Sequence, residues 1–331
     1  MIVFLIEKSI EIIAFLQTYL IWLTPVMRLF TFLGNVEFYL LVMPLLVWSI
    51  DYHLGVRVGV ILMLSGALNT FLKIGLRQPR PYWISSKIQN LSQPMGSFGL
   101  PSGHSQNAAS VFGLLALSAK KKWLRYLLVF MIVMIAFSRL YLGVHSLLDV
   151  LIGLAVGALL LVMFIFLEDK INQFFTRVSA GTKIGLVFLI TVGLLVVGIL
   201  IKSAGKNMQI PALWLELTAL AHPEEMIVPF SIEGVVTASG ALMGLVAGNL
   251  FLGLRGGGYD AARGRIWQHV LRFTVGILGV LVIWRGLGVV FPDGEHFLGI
   301  VLRYLRYTLI GSWITGFAPM IFIKLNIAEC L

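Results

Sequence analysis

Leu147-Leu-Asp-Val-Leu-Ile-Gly-Leu-Ala-Val-Gly-Ala-Leu-Leu-Leu-Val-Met-Phe-Ile-Phe-Leu167 carries one carboxylate near its start and no other charge over 21 residues. At about 1.5 Å per helical residue, such a run covers the roughly 30 Å of hydrocarbon in a bilayer. Working outward, comparable runs lie at 36–50, 55–76, 104–119, 123–141, 184–202, 234–254, 271–291 and 303–323, which makes nine. The first and third are short for a crossing and are expected to extend into their flanks. Composition agrees, because 59% hydrophobic and 12% charged residues in 331 cannot form one water-soluble core. The expected fold is all-α, a polytopic membrane helix bundle of about nine transmembrane helices.

The opening segment reads differently. Glu7, Lys8, Glu11, Gln17 and Thr18 interrupt Ile, Phe, Leu and Trp at roughly helical spacing. That pattern suits an amphipathic helix in the membrane interface better than a crossing one. It has neither the basic start nor the small-residue cleavage site of a signal peptide. The expected division is an interfacial segment over 1–33, a helix bundle over 34–170 and a four-span extension over 171–331. Cys330 is the single cysteine, so an intrachain disulfide and a cysteine-based zinc site are both excluded.

A net charge of +10 raises the question of nucleic acid, but the basic residues sit in short loops between apolar runs. No nucleic-acid partner is expected. Arg57, the Lys120–Lys122 cluster with Arg125, then Lys170, Arg177 and Lys183, then Arg255, Arg263, Arg265 and Arg272 fall on alternate loops. By the positive-inside rule these loops face the cytoplasm, and an odd number of spans puts the C-terminus there as well. The opposite loops hold Glu216, Glu224, Glu225, Asp293 and Glu295.

Three short blocks lie at span ends on that opposite, extracytoplasmic side. Lys73 and Arg80 are seven residues apart, almost two helical turns, which places both on one helix face with Asn69 and Arg77. Fixed positive charge there attracts an anion, although a snorkelling basic belt is the plainer reading. Pro101-Ser102-Gly103-His104 opens the third span. Its first-turn amides, the Ser102 hydroxyl and the close approach allowed by Gly103 suit phosphate, and His104 exchanges protons near neutral pH. A simple helix cap accounts for the same four residues. Ser138-Arg139 and then His145 and Asp149 lie between the fourth and fifth spans. At i and i+4, Asp149 can hold one ring nitrogen of His145 and leave the other as nucleophile, while Arg139 offers a fork for two phosphate oxygens.

Together the blocks read K-x6-R-P at Lys73, Arg80 and Pro81, P-S-G-H at Pro101 to His104, and S-R-x5-H-x3-D at Ser138, Arg139, His145 and Asp149. This resembles the signature of the type 2 phosphatidate phosphatase superfamily at every position, over roughly residues 25 to 167. Phe98-Gly-Leu-Pro-Ser-Gly-His104 and Gln78-Pro-Arg-Pro-Tyr-Trp83 are most similar to the sphingosine-1-phosphate phosphatase branch and its bacterial relatives. The resemblance implies that His145 attacks phosphorus to form a phosphohistidine, that Asp149 orients it, and that His104 protonates the leaving alkoxide. It further implies that Lys73, Arg80, Ser102, Gly103 and Arg139 hold the phosphate oxygens. No cofactor and no metal are expected, since those donors already surround the phosphate.

The expected activity is hydrolysis of a lipid phosphate monoester or pyrophosphate, with membrane lipids and a phosphorylated lipid as partners. The compact loops suggest a bacterial or archaeal plasma membrane. A vanadium haloperoxidase would use the same anion pocket for vanadate, and a non-enzymatic lipid transporter could be built on the same fold. The intact nucleophile, acid and orienting carboxylate favour the phosphatase. In the extension, His222-Pro-Glu224-Glu225 and Asp293-Gly-Glu295-His296 could supply metal ligands, but solvated loop polarity explains them more simply. Gly240, Gly244 and Gly248 form a small-residue ridge for close helix packing, within the chain or across a homodimer.

Overall fold

The computed structural model describes residues 2–224, 226–255, 258–292 and 294–329. Glu225, Asp293 and Cys330, each part of an expectation above, lie outside the described residues. Among the described residues the regular elements are helices: α1 (Ile2–Tyr19), α2 (Thr24–Phe32), α3 (Val36–Ser49), α4 (Tyr52–Leu76) and α5 (Pro81–Ile84). Next, α6 (Gly103–Asn107) continues through a wide turn at Ala108–Phe112 into α7 (Gly113–Ser118), followed by α8 (Lys122–Tyr141), α9 (Leu147–Thr176), α10 (Ala180–Ala204) and α11 (Ala212–Ala221). The chain ends with α12 (Glu233–Leu254), α13 (Ile266–Leu281), α14 (Leu287–Val290), α15 (Phe297–Ser312) and α16 (Ala318–Lys324).

Among the described residues, six helical stretches are long and apolar enough to cross a membrane: Tyr52–Ile84 (α4 and α5), Lys122–Tyr141, Leu147–Thr176, Ala180–Ala204, Glu233–Leu254 and Ile266–Val290. The two short runs do not extend as expected. Helix α3 stops at 14 residues, and the α6–α7 run closes at Ser118 because Ala119 turns to extended backbone. The last run is helical from Phe297 to Lys324, through a wide turn at Trp313–Phe317, but it carries Arg303 and Arg306 and is not among the six. Helix α1 meets the segment Ile21–Phe32 at a bend of 84°.

The described chain forms two compact units. The first gathers the residues up to Phe38, Leu68–Met163 and Gly198–Ser231. Its core packs Ile13, Met27, Tyr82, Trp83, Phe98, Tyr141 and Val144 out of solvent. Segment 198–231, in the stretch expected to be extension, belongs here. Trp214 of α11 lies 5.9 Å from the ring of Trp83, Phe230 meets Phe98 edge-on at 5.4 Å, and the Val228 amide donates to the Gly96 carbonyl. The amphipathic opening is also tied in: Gln17 of α1 donates to the carbonyls of Gln89 and Tyr141, and Ser9 accepts from the Leu147 amide.

The second unit gathers Tyr39–Ala67, Phe164–Val197 and the residues from Ile232 onward. Here α12 lies along α15. A side chain at Gly240 or Gly244 would run into the Tyr304 or Thr308 carbonyl, so only a bare ridge allows this approach. Thr308, Ser312 and Thr315 then donate hydroxyl hydrogens to the Gly240, Gly244 and Leu245 carbonyls at 3.1, 3.2 and 2.9 Å. The glycine ridge is therefore filled within the chain. Arg57 of α4 and Glu168 of α9 form a two-bond ion pair at 2.7 and 2.8 Å.

Candidate active site

All eight residues singled out from the sequence lie in the first unit. His145 sits in the turn between α8 and α9, where Gly143 takes a φ of +75° that suits glycine. Helix α9 then starts with a reciprocal cap. The Ser146 amide donates to Asp149 Oδ2 at 2.8 Å, and the Asp149 amide donates to Ser146 Oγ at 3.2 Å. Asp149 thus caps the helix that it starts. The same Oδ2 lies 3.5 Å from His145 Nδ1, with both side chains buried. On the far side of the ring, Arg80 Nη1 lies 3.3 Å from Nε2.

Arg80 reaches this position by a route that helical periodicity did not foresee. Helix α4 ends at Leu76, Arg77 turns left-handed at a φ of 57°, and Arg80 is extended ahead of Pro81. A residue before proline is pushed out of the helical region, so Arg80 cannot share a helix face with Lys73. The two converge through the loop instead, for both donate to the carbonyl of Phe98. Arg80 also donates to the Ser97 carbonyl at 2.7 Å, Ser97 Oγ at 3.0 Å and the Val144 carbonyl at 2.9 Å. Arg77 leaves the group: its guanidinium lies 5.9 Å over the Phe230 ring. Asn69 turns to the Gln106 side chain at 2.9 Å and the Pro101 carbonyl at 3.2 Å.

Ser102 caps α6, accepting from the Ser105 amide at 3.4 Å and the Ser105 hydroxyl at 3.0 Å. These contacts use oxygen lone pairs, so the Ser102 hydroxyl hydrogen is still available to a phosphate oxygen. Helix α9 is held against this cap because a side chain at Gly153 would sit 2.6 Å from the Ser102 carbonyl, and one at Gly157 would meet the Gln106 carbonyl. The Ser102 amide consequently donates to the Asp149 carbonyl at 2.9 Å. His104 Nε2 lies 2.8 Å from Asn35 Oδ1. An amide oxygen only accepts, so Nε2 carries hydrogen and Nδ1 is the nitrogen left for proton transfer.

Arg139 is fully buried, bound to Thr31 Oγ1 and, at 3.2 Å, to the sulfur of Met95, while its Nε has no hydrogen-bond partner. Buried Arg80 and Arg139 and half-buried Lys73 face one buried carboxylate among the described residues, Asp149. Such a surplus of positive charge is satisfied by an anion with several acceptor oxygens. Burial first, then the charges of Arg80, Lys73 and Arg139, hold the His145 ring below the ordinary histidine range. A neutral imidazole keeps a ring lone pair free to act as a nucleophile.

Sequence reasoning missed Thr31, Asn35, Met95 and the carbonyls of Ser97 and Phe98. Arg28, Thr31 and Asn35 stand at i, i+3 and i+7 in an apolar stretch, a polar stripe that could have drawn attention. The carbonyls carry no sequence signal. Glu295, from the acidic strings, accepts from the Ile232 amide at 2.7 Å. Among the described residues no three His, Cys, Asp or Glu side chains come together as metal ligands.

Comparison with known proteins adds the following. The chain matches the PAP2 superfamily over residues 54–173 and the transmembrane extension of PAP2 superfamily phosphatases over 236–330. It is 31% identical over 166 residues to phosphatidylglycerophosphatase B of Bacillus subtilis, covering 46% of this chain and 79% of that protein. It is 31% identical over 161 residues to sphingosine-1-phosphate phosphatase 1 of Rattus norvegicus, covering 45% of this chain and 37% of the relative. The chain thus spans little more than a third of that relative's length. A crystal structure of a PAP2-type phosphatidylglycerolphosphate phosphatase from Bacillus subtilis matches with a TM-score of 0.41 and 29% identity, over 50% of this chain and 87% of the other.

Proposed function

The chain belongs to the PAP2 superfamily and is an integral, multi-pass membrane protein, and on that premise we propose that it hydrolyses a lipid phosphate monoester or pyrophosphate through a phosphohistidine. The observation that carries this reading is the setting of His145, gripped between Asp149 at Nδ1 and Arg80 at Nε2 beside Lys73 and Arg139. Phosphate oxygens are held by Lys73, Arg80, Arg139, the Ser102 hydroxyl and the Gly103 amide. The Nε2 lone pair of His145 forms the N–P bond as the P–O bond to the lipid breaks. His104 gives its proton to the departing oxygen. Water then attacks phosphorus, His104 takes the water's proton, the N–P bond breaks and inorganic phosphate leaves. Charge compensation comes from the protein's own donors, so no metal is needed.

The catalytic bundle is read as 34–170, with 1–33 as its interfacial lead-in and 171–331 as a membrane extension whose segment 198–231 buttresses the bundle. If all nine apolar runs cross, starting outside, the site lies on the extracytoplasmic face and Cys330 in the cytoplasm. An impermeant maleimide should label Cys330 only in permeabilised cells, and labelling of intact cells would refute this topology.

The function is tested with purified protein in detergent and excess chelator, by measuring phosphate release from a panel of lipid phosphates and pyrophosphates. Vanadate, which resembles the five-coordinate transition state, should inhibit. Release from none of the panel, or release lost in chelator and restored only by a divalent metal, would overturn the proposal.

A further inference from the structure

A cleft of about 330 Å³ opens beside the site, walled by Arg28, Thr31 and Asn35 on one side and by Leu91, Gln93 and Met95 on the other. Three of its walls touch catalytic machinery directly. Thr31 and Met95 accept from Arg139, and Asn35 holds His104. Since His104 is the acid for the departing oxygen, whatever lies beyond that oxygen enters this cleft. Arg28 is the one charged residue in its lining. Its Nε is tied to the Leu91 carbonyl at 3.0 Å, it makes no ion pair among the described residues, and its side chain is exposed. An anchored guanidinium still has its Nη hydrogens for an oxyanion.

We propose that the cleft receives the leaving group and that Arg28 selects substrates whose leaving group carries its own anion, several bonds from the scissile phosphate. This rests on the phosphatase reading above. Arg28 on α2 and Asn35 in the turn that follows α2 line the same cleft of about 330 Å³, so a leaving group seated there meets both the Asn35–His104 pair and the guanidinium. A phosphodiester joined to the monoester through a short polyol would present its anion to Arg28 while its ester oxygen faces His104. An ammonium group near the scissile bond would be repelled, and a neutral alkyl chain would gain nothing from Arg28.

The test compares kcat/KM of full-length wild type and Arg28→Glu in one detergent. The substrates are phosphatidylglycerol phosphate, farnesyl pyrophosphate, sphingosine phosphate and hexadecyl phosphate. Charge reversal should lower the ratio of phosphatidylglycerol phosphate to hexadecyl phosphate at least about tenfold, and raise the ratio of sphingosine phosphate to hexadecyl phosphate. Arg28→Gln should fall between. A proportional loss on all four, or a ratio that shifts for farnesyl pyrophosphate alone, overturns the proposal. If the wild type acts on none of the four, the phosphatase reading itself has failed; if it acts on them without a change in ratios, only this inference has.

Discussion

Nη1 of Arg80 lies 3.3 Å from Nε2 of His145, and a guanidinium has only hydrogens to offer, so that ring nitrogen must present its lone pair. The ring hydrogen then sits on Nδ1, facing Asp149 Oδ2 at 3.5 Å. On the phosphatase reading, this is the tautomer in which His145 can act as nucleophile, and Arg80 would serve both to hold that tautomer and to grip the phosphate oxygens.

Arg80→Lys should consequently be far from conservative. A lysine ammonium cannot span the Ser97, Phe98 and Val144 carbonyls and His145 at once. Buried acceptors left unpaired cost about 1–3 kcal/mol each, and losing one transition-state donor costs roughly 10²–10³ in rate. We expect kcat/KM for phosphate release to fall at least about 100-fold, with a lower unfolding temperature in detergent. Activity within a few-fold of wild type would show that Arg80 is not aimed at the phosphate.

The two histidines should separate by leaving group. General acid catalysis is worth about 10²–10⁴, and an alkoxide needs the proton whereas a nitrophenolate does not. In single-turnover phosphoenzyme formation, His104→Ala should therefore lose much more rate on a lipid phosphate than on nitrophenyl phosphate. Asn35→Ala should lose in the same direction but less, because it orients the ring without supplying the proton. His145→Ala should form no phosphoenzyme from either substrate. Equal losses for His104→Ala on both would reassign that residue to binding.

Burial beside Arg80 and Lys73 depresses the His145 pKa, which fixes the sign of a pH effect. A histidine whose folded pKa lies below its unfolded value of about 6.5 refuses a proton that the unfolded chain accepts, so stability falls as pH drops through that range. The ring resonances of His145, assigned by their loss in His145→Gln, should remain those of a neutral imidazole at pH 6.5. The drop in unfolding temperature between pH 7.5 and 5.5 should be smaller in His145→Gln than in wild type. A ring half-protonated near 6.5 would contradict the buried, cation-flanked setting.

Packing between α9 and α6 gives a prediction remote from the chemistry. Gly157→Val would drive its side chain into the Gln106 carbonyl and separate the Asp149 end of α9 from the Ser102 cap. Misplacement by about 1 Å can cost roughly 10²-fold, so kcat should fall by about that factor. Gly185→Val on α10, where an added Cβ meets nothing within 4 Å, is the matched control and should keep wild-type kcat. If both variants behave alike, close approach at Gly157 is not what positions the site.

The sequence alone was enough for whatever is local. Apolar run length identified a membrane protein, and the short separation of His145 and Asp149 already suggested that they meet, although the turn and cap at the start of α9, and not one helix face, bring them together. Ser102 announced a helix cap in the same way. Its partner on the neighbouring helix, reached across Gly153 and Gly157, did not show, because contact between distant segments leaves no period in either one.

Tertiary structure decided the rest. Lys73 and Arg80 were expected on one helix face, yet the left-handed turn at Arg77 and Pro81 end that periodicity, and the pair meets only because a loop brings the Phe98 carbonyl between them. Thr31 and Asn35 became partners of Arg139 and His104 through contacts spanning 108 and 69 residues. The glycine ridge of α12 could have faced any small-residue surface until the hydroxyls of Thr308, Ser312 and Thr315 filled it. Backbone propensity and residue spacing act over a few residues. Which buried donor meets which carbonyl depends on the packing of the whole unit.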